Sequence, residues 1–391
     1  MKKRVGIEVS LAVAEAVGQC DVDVIAAYPI TPQTHIVEHL SELVADGKLD
    51  AEFIPVESEH SAMSVCLGAS AVGARTFTAT AGPGLALMTE MVYCASSMRL
   101  PVVMVLVNRS LNSPLSIWND YGDFMLIRDS GWIQIFVENG QEVYDHIFWA
   151  FRVGEDPEVL HPVMINMDGF ILTHTIEPIE FWEEEMVKKY LPPFKPKYRL
   201  HPDQPITMGA FGPPEIYTEC KMAQNQALLA TMPIVERAWE ELEQVCGRRY
   251  QSIETFYADS SPVLFLTTGS VGETAKIAVE ELREEGEEVG LLSLRLWRPF
   301  PLENLKEKLK NAEILIVIDR ILSYGGLGGP IASEVKNALY SQEKRPRVVN
   351  FIAGLASRDV QPDDFKQMLK QAKIKVEQGK EDEYEIYGVR G

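Results

Sequence analysis

Two rhythms of apolar and polar positions alternate along the chain. Continuous apolar runs such as Val22–Tyr28, Arg75–Ala81 and Pro101–Asn108 are separated by longer stretches whose apolar positions recur every three or four residues. Val22–Tyr28 reads as a strand, followed by a helix with Ile36, Leu40, Leu43 and Val44 on one face and Gly47 just past its end. Glu52–Glu57 predicts a strand, Ser61–Gly73 a helix of mostly small residues, Arg75–Ala81 a strand, Leu85–Arg99 a helix, and Pro101–Asn108 a very apolar strand. Trp132–Val137, a helix around Val143–Phe151, and Val163–Met167 continue the series. Unbroken apolar strands alternating with helices indicate a parallel sheet covered on both faces.

Between Pro192 and Pro214 seven prolines fall in 23 residues, which marks an extended connection. A polar helical stretch over 215–245 follows. The alternation then resumes: Val263–Thr267, Val271–Glu285, Val289–Leu296, Leu302–Leu309, Ile314–Asp319, Ala332–Tyr340, Arg347–Ile352 and Asp363–Ala372. We therefore expect an α/β protein with two doubly wound parallel-sheet domains. The first covers residues 1–235, with its proline-rich connection from about 192. The second covers 258–391 and ends in a charged tail beyond about 375.

Composition narrows the functional classes. With 391 residues the chain is long enough for two or three domains at ~150 residues each. Hydrophobic residues make up 46%, which excludes a largely disordered chain. No window reaches the ~18–20 apolar residues of a membrane span, and the first residues do not read as a secretory signal, so a cytoplasmic address is expected. Basic residues number 37 against 57 acidic, a net charge of −20 that argues against nucleic acid and anionic membrane as partners. An anionic ligand must instead be held by a few placed cations and backbone amides. The five cysteines are odd in number, the closest pair is 26 residues apart, and no CxxC occurs, so this chain is not expected to bind a metal or an iron–sulfur cluster.

In a doubly wound sheet, ligands sit beyond the carboxyl ends of the strands. The first strand end is Tyr28-Pro-Ile-Thr-Pro-Gln-Thr34. Pro32 disfavours helical geometry at Thr31 and suits the first helical position, so Thr31 is expected to be the N-cap, where its hydroxyl could also receive a carboxylate. A cap and nothing more is the plainer reading of that stretch alone. The second end, Val56-Glu-Ser-Glu-His60, sets acids at a strand-to-helix junction, where Glu59 opens a helix; complementing the helix dipole would explain it as simply. The third, Thr80-Ala-Gly-Pro-Gly84, is a tight turn where backbone could approach a ligand. The fourth delivers Arg109 at the end of a buried strand, where a guanidinium needs a carboxylate or an anionic ligand. Thr31, Glu59, Gly82–Gly84 and Arg109 thus converge on one crevice.

Other features carry less. His35-Ile-Val-Glu-His39 matches the H-x-x-E-H pattern of inverted zinc peptidases but lies on an ordinary amphipathic helix with no third ligand in view. Gly325-Gly-Leu-Gly-Gly329 is glycine-rich but is not G-x-G-x-x-G.

With these strand ends in place, the sequence resembles the α subunit of 2-oxoacid:ferredoxin oxidoreductases of the pyruvate synthase type. The matching stretches include AYPITPQT (27–34), PVESEHSAM (55–63), GARTFTATAGPGLALM (73–88), RLPVVMVLVNR (99–109) and SIWNDYGD (116–123). LRLWRPFP (294–301) and FIAGLASRDV (351–360) extend the likeness into the second domain. One departure is TAGPGL at 80–85, where the family more often reads TSxQGL.

The resemblance implies a thiamine diphosphate enzyme whose α chain supplies a pyrimidine-binding domain and a transketolase-C-like domain. It implies that Glu59 hydrogen-bonds the pyrimidine N1′ and activates the cofactor, that Tyr28, Pro29, Gly82 and Gly84 line the cofactor, and that Thr31 and Arg109 hold the substrate carboxylate. Partner β, γ and δ subunits would supply Mg²⁺ with the diphosphate site, the [4Fe-4S] clusters and the coenzyme A contacts. The absence of a GDG…N motif fits that division. Ferredoxin would take the electrons. The implied reaction is oxidative decarboxylation of pyruvate with coenzyme A; a branched-chain 2-oxoacid such as 2-oxoisovalerate is the alternative substrate. A non-catalytic scaffold is the alternative of another class, and a scaffold has no need of Glu59 or Arg109.

Overall fold

The computed structural model describes residues 3–390. Its first part runs β1 (Lys3–Glu8), α1 (Val9–Gln19), β2 (Val24–Ala27), α2 (Thr34–Ala45), β3 (Glu52–Pro55), α3 (Glu59–Val72), β4 (Thr76–Thr80), α4 (Pro83–Ser97) and β5 (Val103–Asn108). It continues with α5 (Gly122–Leu126), β6 (Ile133–Phe136), α6 (Gly140–Gly154), β7 (Val163–Asp168), β8 (Ile176–Phe181), α7 (Glu184–Tyr190), α8 (Pro214–Leu229) and α9 (Met232–Cys246). The second part holds β9 (Ile253–Phe256), β10 (Val263–Thr267), α10 (Val271–Glu284), β11 (Val289–Leu294), β12 (Leu296–Arg298), α11 (Leu302–Leu309) and β13 (Ile314–Asp319). It closes with α12 (Pro330–Leu339), β14 (Arg347–Ile352), α13 (Pro362–Glu377) and β15 (Glu385–Ile386).

The first sheet has the order β12-β6-β7-β5-β4-β2-β3, and the second β15-β14-β13-β10-β11-β9. All pairings inside the first sheet are parallel except that of its edge strand β12, and in the second sheet only the edge strand β9 runs antiparallel. Central strands β4, β5, β6 and β7 are buried along their whole length, as their unbroken apolar runs require. The α/β architecture with two doubly wound sheets is as expected.

Three details differ from the sequence reading. Val289–Leu296 is not one strand. At Arg295 the chain leaves the second sheet, and Leu296–Arg298 pairs antiparallel with β6 of the first. The buried Arg295 guanidinium anchors that crossing through Glu142 and Glu254, each at 2.6 Å. The helical stretch over 215–245 is two helices, because Pro233 sits in the first turn of α9 and lacks the N–H that a continuous helix would need. Finally, β1 pairs antiparallel with β8, a two-stranded ribbon that the periodicity did not disclose.

The two parts share a core cluster. Tyr121, Phe124, Trp132 and Phe136 of the first pack with Trp297, Leu305 and Leu264 of the second. Near the carboxyl ends of both sheets, Asp168 joins them through polar contacts. It accepts from the Tyr121 hydroxyl at 3.0 Å and from the Ser270 N–H at 2.9 Å, and Arg320 Nη1 meets it at 2.5 Å. Both partners of that ion pair are buried.

Candidate active site

Four neighbouring segments of the first sheet end on the same side, and their side chains meet there. Strand β3 delivers α3, whose N-cap Ser58 accepts from the Ser61 N–H at 3.2 Å. This cap fixes Glu59 in the first turn, and the side chain is turned in rather than out: only 4% of Glu59 is exposed, whereas Glu57 and His60 face solvent. Among the described residues, no hydrogen bond or ion pair engages the Glu59 carboxylate. It lies against Gly84: a Cβ built on that glycine would stand 2.6 Å from Glu59 Oε1 and 2.6 Å from Thr80 Oγ1. Only glycine fits there. The Thr80 hydroxyl is itself buried without a partner.

Gly82 begins the same turn with φ +48°, a left-handed conformation that disfavours side chains. A Cβ there would meet Arg109 Cδ and Cγ at 3.1 Å, so the arginine side chain lies across the turn. Arg109 is buried. Its Nε donates to the Ser116 carbonyl and its Nη1 to the Thr31 carbonyl, both at 3.1 Å. Among the described residues no carboxylate pairs with its guanidinium, and Nη2 has no partner. Burial lowers its pKa from the ordinary arginine value, against the opposing pull of Asp123. The expected choice between a protein carboxylate and an anionic ligand is therefore resolved only in part: carbonyl dipoles orient the cation but do not neutralise it.

Thr31 is brought beside Arg109, yet it is not a helix cap. The chain makes a turn in which the Gln33 N–H donates to the Ile30 carbonyl at 2.8 Å, and α2 starts at Thr34 with Gln33 as its N-cap residue. The Gln33 amide donates to the carbonyls of Tyr28 (2.9 Å) and Ala79 (3.0 Å), locking the turn onto β4 and moving the helix start from Pro32 to Thr34. The Thr31 hydroxyl is exposed and owes nothing to the helix dipole. Tyr28 and Pro29 are likewise exposed at the rim.

Sequence reasoning assigned no role to Asp123, although it closes the SIWNDYGD stretch. Its carboxylate is fully buried and accepts the N–H groups of Gly82 (3.0 Å) and Arg109 (2.9 Å) on Oδ2. Burial pushes its pKa up to about 7, against the hydrogen bonds that favour the ionised form. The H-x-x-E-H histidines have partners of a different kind. His35 meets Glu8 at 2.6 Å, and His39 meets Glu15 at 2.9 Å, so both fasten α2 to the α1 region. Among the described residues no group of three or more His, Cys, Asp or Glu side chains is placed to hold a metal. No described helix is long and apolar enough to cross a membrane.

A parallel sheet with a carboxylate, a glycine turn and a carbonyl-held guanidinium gathered at its carboxyl edge has the arrangement of a ligand-binding α/β domain. The chain belongs to the pyruvate flavodoxin/ferredoxin oxidoreductase family. Residues 15–238 match that family's thiamine-diphosphate-binding domain, and residues 261–365 match the pyruvate:ferredoxin oxidoreductase core domain II. The chain is 48% identical over 361 residues to pyruvate synthase subunit PorA of Methanocaldococcus jannaschii, covering 92% of each. It is 43% identical to ketoisovalerate oxidoreductase subunit VorA of Pyrococcus furiosus, covering 96% of this chain and 95% of that one. Among solved structures, it resembles the 2-oxoglutarate:ferredoxin oxidoreductase of Magnetococcus marinus, with a TM-score of 0.67 at 20% identity, covering 95% of this chain and 65% of that one. A split-gene transketolase has the same fold, with a TM-score of 0.55 at 14% identity, covering 94% of this chain and 98% of that one.

Proposed function

We propose that this chain is the α subunit of a thiamine-diphosphate-dependent pyruvate:ferredoxin oxidoreductase, converting pyruvate and coenzyme A to acetyl-CoA, CO₂ and reduced ferredoxin in either direction. The observation that carries the reading is Glu59, only 4% exposed, seated against Gly84, its carboxylate without a hydrogen-bond or ion-pair partner among the described residues. A recessed carboxylate that no protein donor occupies is free to accept a ligand N–H or to hold the proton of a ring nitrogen. The pyrimidine of thiamine diphosphate offers that group, and the residues present fit it. Glu59 would hold a proton at the ring nitrogen; Gly82 and Gly84 would let the ring approach the backbone, with Tyr28 and Pro29 at the rim. When bound, the cofactor supplies a carbanion-stabilising thiazolium that accepts the electrons of decarboxylation.

Arg109 Nη2 and the Thr31 hydroxyl would receive the substrate carboxylate. A guanidinium held by carbonyls keeps its full charge for an incoming anion, which a carboxylate partner would have cancelled. One cation and one neutral hydroxyl suit a monocarboxylate with an alkyl side chain better than a dicarboxylate. Partner β, γ and δ subunits would hold Mg²⁺, the diphosphate, the [4Fe-4S] clusters and coenzyme A, in a cytoplasmic hetero-oligomer. In this reading residues 1–235 are the pyrimidine-binding domain and 258–391 the transketolase-C-like domain, with Leu296–Arg298 reaching back into the first sheet.

A second reading, oxidation of branched-chain 2-oxoacids, is supported by the 43% identity to the ketoisovalerate oxidoreductase subunit. Assay of the co-purified complex on pyruvate, 2-oxoisovalerate and 2-oxoglutarate with a viologen acceptor separates the two. Highest kcat/KM on pyruvate is expected. Preference for 2-oxoisovalerate would establish the second reading, and turnover of none of the three would refute both.

A further inference from the structure

We infer that Asp123 is a positioning residue that splints the cofactor side of the site to its substrate side; the inference rests on the site reading proposed above. The paired register of β4 and β5 ends at Thr80–Leu106. Beyond it, Oδ2 of Asp123 takes both the Gly82 N–H and the Arg109 N–H, so one oxygen joins the two turns that follow adjacent strands. Oδ1 accepts from Asn108 Nδ2 at 3.2 Å and from the N–H of Phe124 at 2.7 Å. The carboxylate is fully buried and forms no ion pair among the described residues, so directed N–H donors alone compensate its burial.

The consequence lies in how the two turns touch. The Arg109 side chain rests on Gly82, whose conformation disfavours any side chain, and the same turn carries Gly84 against Glu59. A shift of the Gly82 turn relative to Arg109 would move the guanidinium and the carboxylate seat against each other. Asp123 touches neither proposed ligand, so it acts through Arg109 and Gly82. The competing role is local: a carboxylate that caps its own five-residue helix α5 and nothing more.

Asp123→Asn keeps the volume but sets an amide NH₂ against one of the two pairs of N–H donors. In the complex purified with its native partners, we expect two changes. Peptides covering Gly82 and Arg109 should exchange their amide hydrogens at least about tenfold faster, and kcat/KM should fall on the order of tenfold or more, the usual effect of unsatisfied buried donors. The discriminating arm is the same substitution in an Arg109→Lys background. A residue that acts by aiming Arg109 loses most of its effect there, so the double variant should be little worse than Arg109→Lys alone. Equal fold-losses in both backgrounds, or unchanged exchange at Gly82 and Arg109, would overturn the inference. The exchange arm decides the splint whichever 2-oxoacid is used, so failure of the functional reading is seen separately in the wild-type assay.

Discussion

Replacing Arg109 by lysine tests the substrate side most sharply. The arginine spends Nε and Nη1 on the carbonyls of Ser116 and Thr31, and among the described residues Nη2, the nitrogen proposed to meet the substrate, has no partner. Lysine has one nitrogen for all three tasks. If Nζ remains with the carbonyls, the substrate loses a charge-assisted hydrogen bond; if it turns to the substrate, the carbonyls of Ser116 and Thr31 lose their donor. On the first path, loss of one such bond in a desolvated site costs ~1.5–3 kcal/mol, or about 10- to 150-fold in kcat/KM when felt in the transition state. The second path moves the cost into stability, at roughly 1 kcal/mol per neutral bond, or a few degrees in Tm. Measuring kcat/KM, Tm and thiamine content on one preparation separates them. The expected result is a kcat/KM at least tenfold lower with cofactor content unchanged. Wild-type kcat/KM with full cofactor occupancy would remove Arg109 from the substrate site.

Four further outcomes are expected. Glu59→Gln, which keeps the packing of a buried side chain, should leave Tm nearly unchanged while slowing proton exchange at thiazolium C2 in the assembled complex by several orders of magnitude; exchange within a few-fold of wild type would show that another group activates the cofactor. Gly84→Ala should push the Glu59 carboxylate from its seat, because the new Cβ would sit 2.6 Å from Oε1, and loss of bound thiamine diphosphate by calorimetry is the readout. The chain purified alone should be colourless and inactive in dye reduction, and stoichiometric iron in it would contradict the proposed division among subunits. Asp319, the fully buried last residue of β13, accepts N–H groups from the first turn of α12 and has its pKa pushed up to about 7 by burial, so between about pH 4 and 7 the folded chain keeps a proton that the unfolded chain has released. Stability contributed by that proton falls as pH rises through this window, by up to ~1.4 kcal/mol per unit, and urea midpoints of Asp319→Asn should lack that component of the slope.

Much of the fold was legible because the strands are buried on both faces. Val103–Asn108 is apolar from Val103 to Val107, and its burial is complete. Where an element lies at an edge, the signal fades. The ribbon of β1 and β8 mixes charged and apolar residues on a half-exposed surface, and Leu296–Arg298 has no local signature telling which sheet it will join. Among site residues, Glu59, Gly82, Gly84 and Arg109 could be placed because strand ends in a parallel sheet must converge. Thr31 comes beside Arg109 but is not the cap that local proline chemistry pointed to, because the long-range bond from Gln33 to Ala79 decides where α2 begins. Asp123 was illegible as a site residue because its partners are backbone N–H groups 41 and 14 residues away, and nothing in its own neighbourhood distinguishes it from a turn aspartate.

The turn at 82–84 explains how one small region keeps two opposite charges available. Glu59 and Arg109 are both buried, and in a chain with 20 excess negative charges the simplest way to satisfy either would be to pair it. They do not pair. Arg109 lies over Gly82 and is held by carbonyls, while Glu59 lies against Gly84 with no donor among the described residues. Each contact favours a glycine: a Cβ at Gly84 would displace the Glu59 carboxylate, and at Gly82 the positive φ disfavours any side chain beneath Arg109. The turn thus works as a spacer that prevents mutual neutralisation. On the proposed reading, this leaves a carboxylate to hold a proton on the cofactor ring and a cation to meet the substrate carboxylate, on opposite sides of three residues. A salt bridge between them would add little stability and would remove both functions.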